Sequence, residues 1–70
     1  MNKEYIVEFS INGHYHIPVK ILAENNELAL NQAQGMIHGE WVNLVDIEGN
    51  SVRVRSDKVY ILRCYEANNN

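Results

Sequence analysis

The residue pattern predicts a mostly β domain of the α+β type: an N-terminal hairpin, a short helix and a three-stranded meander, gathered into a small, strongly bent antiparallel sheet or open barrel. Three observations carry this reading. Apolar and polar residues alternate along 5–11 and 15–21, and 41–48, 51–55 and 59–65 read as further strands. The alternation stops between Ala23 and Ile37, where helix formers take over. Asn12-Gly13, Gly49-Asn50 and Ser56-Asp57 punctuate the runs as turn signals.

In the first strand Tyr5, Val7, Phe9 and Ile11 share one side, with Glu8 and Ser10 on the other. The second strand repeats the pattern with Tyr15, Ile17, Val19 and Ile21. A two-residue turn at Asn12-Gly13 would set Phe9 opposite His16 and mix the apolar and polar faces. A type I turn over Ser10 to Gly13, with Gly13 in the positive-φ bulge position, is therefore expected to pair Phe9 with Tyr15, Val7 with Ile17 and Tyr5 with Val19. Pro18 has no backbone donor, which places the second strand at an edge or at a bulge.

The segment from Glu24 to Gln34 predicts a helix of two to three turns, capped by Asn25 or Asn26 and ended by Gly35, with an ordered loop as the competing reading. Its apolar stripe is thin, consisting of Ala29, Ala33 and either Leu30 or Ile37. Beyond it, a two-residue turn at Gly49-Asn50 would bring Val45 and Ile47 opposite Val54 and Val52, with Asp46 facing Arg53. Ser56-Asp57 would turn the chain again so that Val54 meets Val59 and Val52 meets Ile61, completing the meander.

Seventy residues give one small domain, read as 1–66 with a flexible tail at 67–70. A core this small is marginal by itself. Cys64 is the only cysteine, so no disulfide supplements the core, and self-association is the remaining general route to stability. No apolar run approaches the length of a membrane span, and no apolar stretch follows a basic start, so a cytoplasmic, membrane-free protein is expected. The formal charge of −3 offers no general attraction to nucleic acid. Its distribution is uneven, however. Residues 1–50 hold Lys3 and Lys20 against seven acidic residues, whereas 51–70 hold Arg53, Arg55, Lys58 and Arg63 against Asp57 and Glu66. Such polarity suits contact between copies.

Catalytic chemistry finds little footing. Cys64 has no evident base or anion-stabilising pocket, the carboxylates Glu40, Asp46 and Glu48 form no obvious acid and base pair, and Gly35 and Gly39 make no phosphate loop. His14 and His16 share a face with Glu8, the ingredients of a divalent-metal site, but a cross-strand Glu8–His16 pair on a polar face explains them more simply. No cofactor, metal or catalytic residue is therefore assigned.

A binding surface is the better candidate, made of Trp41, Arg53, Arg55, Lys58 and Tyr60. Arg53 and Arg55 point the same way on a strand, Lys58 follows across the turn, and the meander would set Tyr60 opposite Arg53. Arginines beside aromatic rings anchor protein interfaces, and they also hold phosphates and stack bases. The sequence thus points to a non-enzymatic homo-oligomeric module that binds a larger protein as a regulator, adaptor or inhibitor. The alternatives are RNA or single-stranded DNA on the basic strand face, or a small phosphate-containing ligand at a subunit boundary.

Overall fold

The computed structural model describes residues 1–67. In chain order it contains β1 (Lys3–Ile11), β2 (Tyr15–Ala23), α1 (Asn26–Met36), β3 (Trp41–Val45), β4 (Ser51–Arg55), a short 3-10 turn (Ser56–Lys58) and β5 (Val59–Glu66). The α+β architecture and the N-terminal hairpin are as the sequence predicts. Of the expected tail at 67–70, the part beyond Ala67 lies outside the described residues; Ala67 donates its N–H to the Glu4 carbonyl at 2.8 Å.

Alternation broken only at Ile6 makes β1 two-faced, and Tyr5, Val7, Phe9 and Ile11 turn inward and are buried, while Ile6 is covered on the other face. β2 pairs with it antiparallel, Ile11 opposite Tyr15, Phe9 opposite Ile17, Val7 opposite Val19 and Tyr5 opposite Ile21. The apolar faces coincide as expected, but the register is displaced by two residues from the predicted one. The cause is the loop. Asn12 and Gly13 take φ values of 56° and 73°, the positive pair that a type I′ turn requires, and His14 follows as an extra loop residue whose N–H reaches the Ile11 carbonyl at 3.0 Å. That extra residue restores the face matching a bare two-residue turn would lose. Pro18 lies on an edge strand, since the sheet order is β2-β1-β5.

The helix forms where predicted. Asn25 caps it, accepting from the Leu28 N–H at 2.9 Å, and α1 continues through Gly35 to Met36. Ala29 and Ala33 are fully buried and form the contact face. Methyl groups let the helix axis approach the sheet closely, so that a thin stripe suffices.

Two expectations fail in the second half. First, β3 and β4 pair as Val42 with Val54 and Leu44 with Val52, so Val42 and Leu44 enter the core while Val45 and Ile47 face solvent. The chain does not turn on two residues; the Asp46 carboxylate accepts from the Glu48 and Asn50 N–H groups at 2.9 Å each, and Gly49, at φ 89°, donates to the Asp46 carbonyl at 2.9 Å. A longer turn built around Asp46 moves the pairing by an odd step, and an odd step exchanges the two faces. Asp46 therefore organises the turn and does not face Arg53.

Second, β5 does not complete a meander. It pairs antiparallel with β1, Ile11 opposite Val59 and Val7 opposite Cys64, with a bulge that leaves Leu62 as an extra residue. β5 has eight residues and β1 nine, whereas β4 has only five, so pairing with β1 satisfies more backbone. The strands consequently form a three-stranded sheet and a separate two-stranded one, rather than a single bent sheet or barrel. The Ile47 N–H, donating to the Pro18 carbonyl at 3.0 Å, links them. The core lies between the inner face of the larger sheet, α1 and the inner face of the β3–β4 hairpin.

Candidate functional site

Pairing in the β3–β4 hairpin alternates inward Val42, Leu44, Val52 and Val54 with outward Trp41, Asn43, Val45, Ser51, Arg53 and Arg55. Trp41 stands directly across from Arg55, and the arginine Cζ lies 5.6 Å from the indole ring centroid. Arg53 stands across from Asn43 and donates Nε–H to its Oδ1 at 3.1 Å. Three of the five predicted residues, Trp41, Arg53 and Arg55, thus share one face. Trp41, Val45 and, in the turn beyond, Ile47 are each about half exposed, at 49%, 55% and 54%. Lone exposed apolar residues are ordinary; here three fall on one hairpin, with the polar Asn43–Arg53 pair between Trp41 and Val45.

The other two predicted residues are elsewhere. Lys58 ends the 3-10 turn, and Tyr60 pairs with Ser10 on the outer face of the three-stranded sheet, so it does not stand opposite Arg53. The expected basic stripe is dispersed in the same way. Arg55 lies between two carboxylates, 3.7 Å from Glu40 and 3.6 Å from Asp57. Arg63 is held by Glu8 on the other sheet. Arg53 alone on the hairpin face has no carboxylate within ion-pair distance among the described residues. A surface that tracks phosphates needs several uncompensated cations in line, and this face offers one.

Val45 and Ile47, expected opposite Val54 and Val52, are surface residues instead. The signal for their exposure was present in Asp46-Ile47-Glu48-Gly49: an aspartate at the first position of a turn and glycine at the fourth favour a type I turn.

The outer face of the larger sheet carries a second polar cluster. Arg63 grips Glu8 with two parallel bonds, Nε to Oε1 at 3.0 Å and Nη2 to Oε2 at 3.1 Å, and Tyr65 donates its hydroxyl to Oε2 at 3.3 Å. Glu8 faces Pro18 and Arg63 across the strands, so the expected Glu8–His16 pair is replaced by this one. Among the described residues no three His, Cys, Asp or Glu side chains converge as metal ligands. Cys64 donates its thiol to Asn26 Oδ1 at 3.3 Å, and burial pushes the thiol pKa up, away from thiolate reactivity. No helix of the described residues is long and apolar enough to cross a membrane.

Two carboxylates are held below their ordinary pKa: Glu8 by its hydrogen bond from Arg63, and Asp46 by the Asn50 backbone N–H together with its other turn donors. A depressed carboxylate adds stability above its unfolded-state pKa and loses it as pH falls through the folded value. Urea midpoints should accordingly be level from neutral pH down to about pH 5 and fall below about pH 4.5, where unfolded-state carboxylates begin to take up protons. Glu8→Gln and Asp46→Asn should each lower the neutral midpoint and flatten the acid fall; an unchanged acid profile in both would show that these contacts carry no stability.

A cleft of about 440 Å³ lies between the end of α1 and the start of β5, lined by Gln34, Ile37, Val59, Tyr60 and Ile61. Another, of about 420 Å³, separates the two hairpins and is mainly apolar, with Ile11, Ile17, Val52 and Val54 in its walls. Comparison of the chain with protein-family models, curated proteins and solved structures finds no match.

Proposed function

We propose that this protein is a small, cytoplasmic, homo-oligomeric module without enzymatic activity, which binds another protein stoichiometrically as a regulator, adaptor or inhibitor. The partner meets the outer face of the β3–β4 hairpin. The observation that supports this reading is the half-exposed Trp41, Val45 and Ile47 around Arg53, a combination of aromatic anchor, apolar flank and guanidinium typical of interface hot spots. Nucleic acid is the weaker reading, because Arg55 and Arg63 are already engaged by carboxylates.

Native mass spectrometry of gently purified protein, at low and then raised ionic strength, tests the proposal alongside the variants Trp41→Ala and Arg53→Ala. A protein partner held by the wild type through added salt, and weakened about 30-fold or more by Trp41→Ala, is the expected result. Arg53→Ala should weaken it less. Retention that ignores both substitutions would remove the hairpin face from the binding surface, and a retained nucleic acid that salt displaces would favour the alternative.

A further inference from the structure

The two edges of the three-stranded sheet are treated differently. On β2, Pro18 offers no donor, its carbonyl is taken by the Ile47 N–H at 3.0 Å, the Leu22 carbonyl accepts from Gln32 Nε2 at 2.9 Å, and Lys20 lies between them. On β5 nothing comparable happens. The bonds that bracket it, Asn12 N–H to Lys58 O at 3.0 Å and Ala67 N–H to Glu4 O at 2.8 Å, together with its register on β1, set its phase. Lys58, Tyr60, Arg63, Tyr65 and Ala67 turn their backbone groups toward β1. Val59, Ile61, Cys64 and Glu66 turn theirs outward, and among the described residues those groups meet no hydrogen-bond partner.

The bulge makes this edge complementary to itself. Five positions separate Tyr60 from Tyr65, so in a regular strand they would face opposite ways; the extra Leu62 puts both on the outer face, where they are 59% and 40% exposed. Val59, Ile61 and Cys64 all face inward, opposite Ile11, Phe9 and Val7 of β1. An antiparallel copy of β5 related by a two-fold axis between Leu62 and Arg63 therefore sets Ile61 against Cys64 and Val59 against Glu66, each pair having outward-turned backbone groups on both sides. Tyr60 then stands across from Tyr65 on the outer face. The extra residue that is a mismatch against β1 is matched here by the same extra residue in the other copy.

Shape agrees with this occupant. The 440 Å³ cleft beside Val59, Tyr60 and Ile61 lies where Cys64 to Glu66 of the second copy would run.

We infer that two copies of this chain join through their β5 edges, antiparallel about Leu62 and Arg63, to form one continuous six-stranded sheet. This deepens the homo-oligomer part of the proposed function and rests on that part alone; the hairpin face is independent of it.

A disulfide trap reads the register. In the Cys64→Ser background, the double variant Tyr60→Cys/Tyr65→Cys places thiols at facing positions that are not backbone-bonded, where Cα atoms are about 4.5 Å apart, within disulfide reach. Five residues of strand span about 16 Å, which prevents closure within one chain. Mild oxidation should convert most of the protein to a covalent dimer, with peptide mapping joining position 60 to position 65, while either single thiol gives little. Leu62→Lys, at an exposed position, crowds four cations about the axis and should raise the dimer dissociation constant about tenfold in sedimentation experiments. A wild type that sediments as a monomer at all accessible concentrations would overturn both this inference and the homo-oligomer reading. An oligomeric wild type whose trap stays monomeric, or joins position 60 to position 60, would overturn the β5 register alone.

Discussion

Leu44→Ala should destabilise the protein by about 2–5 kcal/mol, whereas Val45→Ala, one residue along the same strand, should change stability by no more than about 0.5 kcal/mol. Leu44 is completely buried against the larger sheet, and Val45 is more than half exposed. A core of this size supplies on the order of 3–5 kcal/mol in total, so the first substitution removes most or all of the margin and the purified variant should be largely unfolded. Urea titration followed by circular dichroism distinguishes the two variants directly. Equal losses, or a greater loss at Val45, would mean that the β3–β4 hairpin pairs in the other frame, with Val45 and Ile47 inside.

Ala33→Leu should destabilise by about 1–3 kcal/mol through overpacking, while Asn31→Leu, on the exposed side of the same helix, should stay within about 0.5 kcal/mol. Ala29 and Ala33 are fully buried at the centre of the contact face of α1, with Met36 packed against the core at its end. The added carbons have nowhere to go unless α1 lifts. Loss of helical ellipticity at lower urea concentration is the expected signature. A leucine tolerated in place of Ala33 without change would show that a void lies under α1 and that the alanines do not set its distance.

The first half of the fold was legible because its elements are specified locally. Alternation marked both strands of the first hairpin, Asn25 marked the helix start, and Pro18 marked an edge. Register was harder, since it depends on the number of loop residues, and Asn12-Gly13 reads the same whether or not His14 joins the loop. The second hairpin was ambiguous for a different reason. Val42, Leu44, Val45 and Ile47 supply apolar residues in both phases of the strand, so only the turn can decide between them. The pairing of β5 with β1 was not legible at all, because the sequence shows that Val59–Glu66 is a strand but not which edge it will find. The candidate surface divided accordingly. Trp41, Arg53 and Arg55 needed only one hairpin to come together; Tyr60 and Lys58 depended on a strand neighbour that the chain chose at long range.

The position of β1 in the middle of its sheet also governs how the chain is made. Its neighbour on one side follows after a three-residue loop, but the Glu8–Arg63 bridge on the other side joins positions 55 apart in sequence. During synthesis the first hairpin therefore leaves the ribosome with one flank of backbone and the whole row Tyr5, Val7, Phe9 and Ile11 uncovered, and a lone hairpin is at best marginally stable in water. Segments 26–55 can cover that row, but the free flank of β1 stays unpaired until residues 59–66 arrive, so the sheet is completed only when the strand farthest along the chain reaches the one nearest its start.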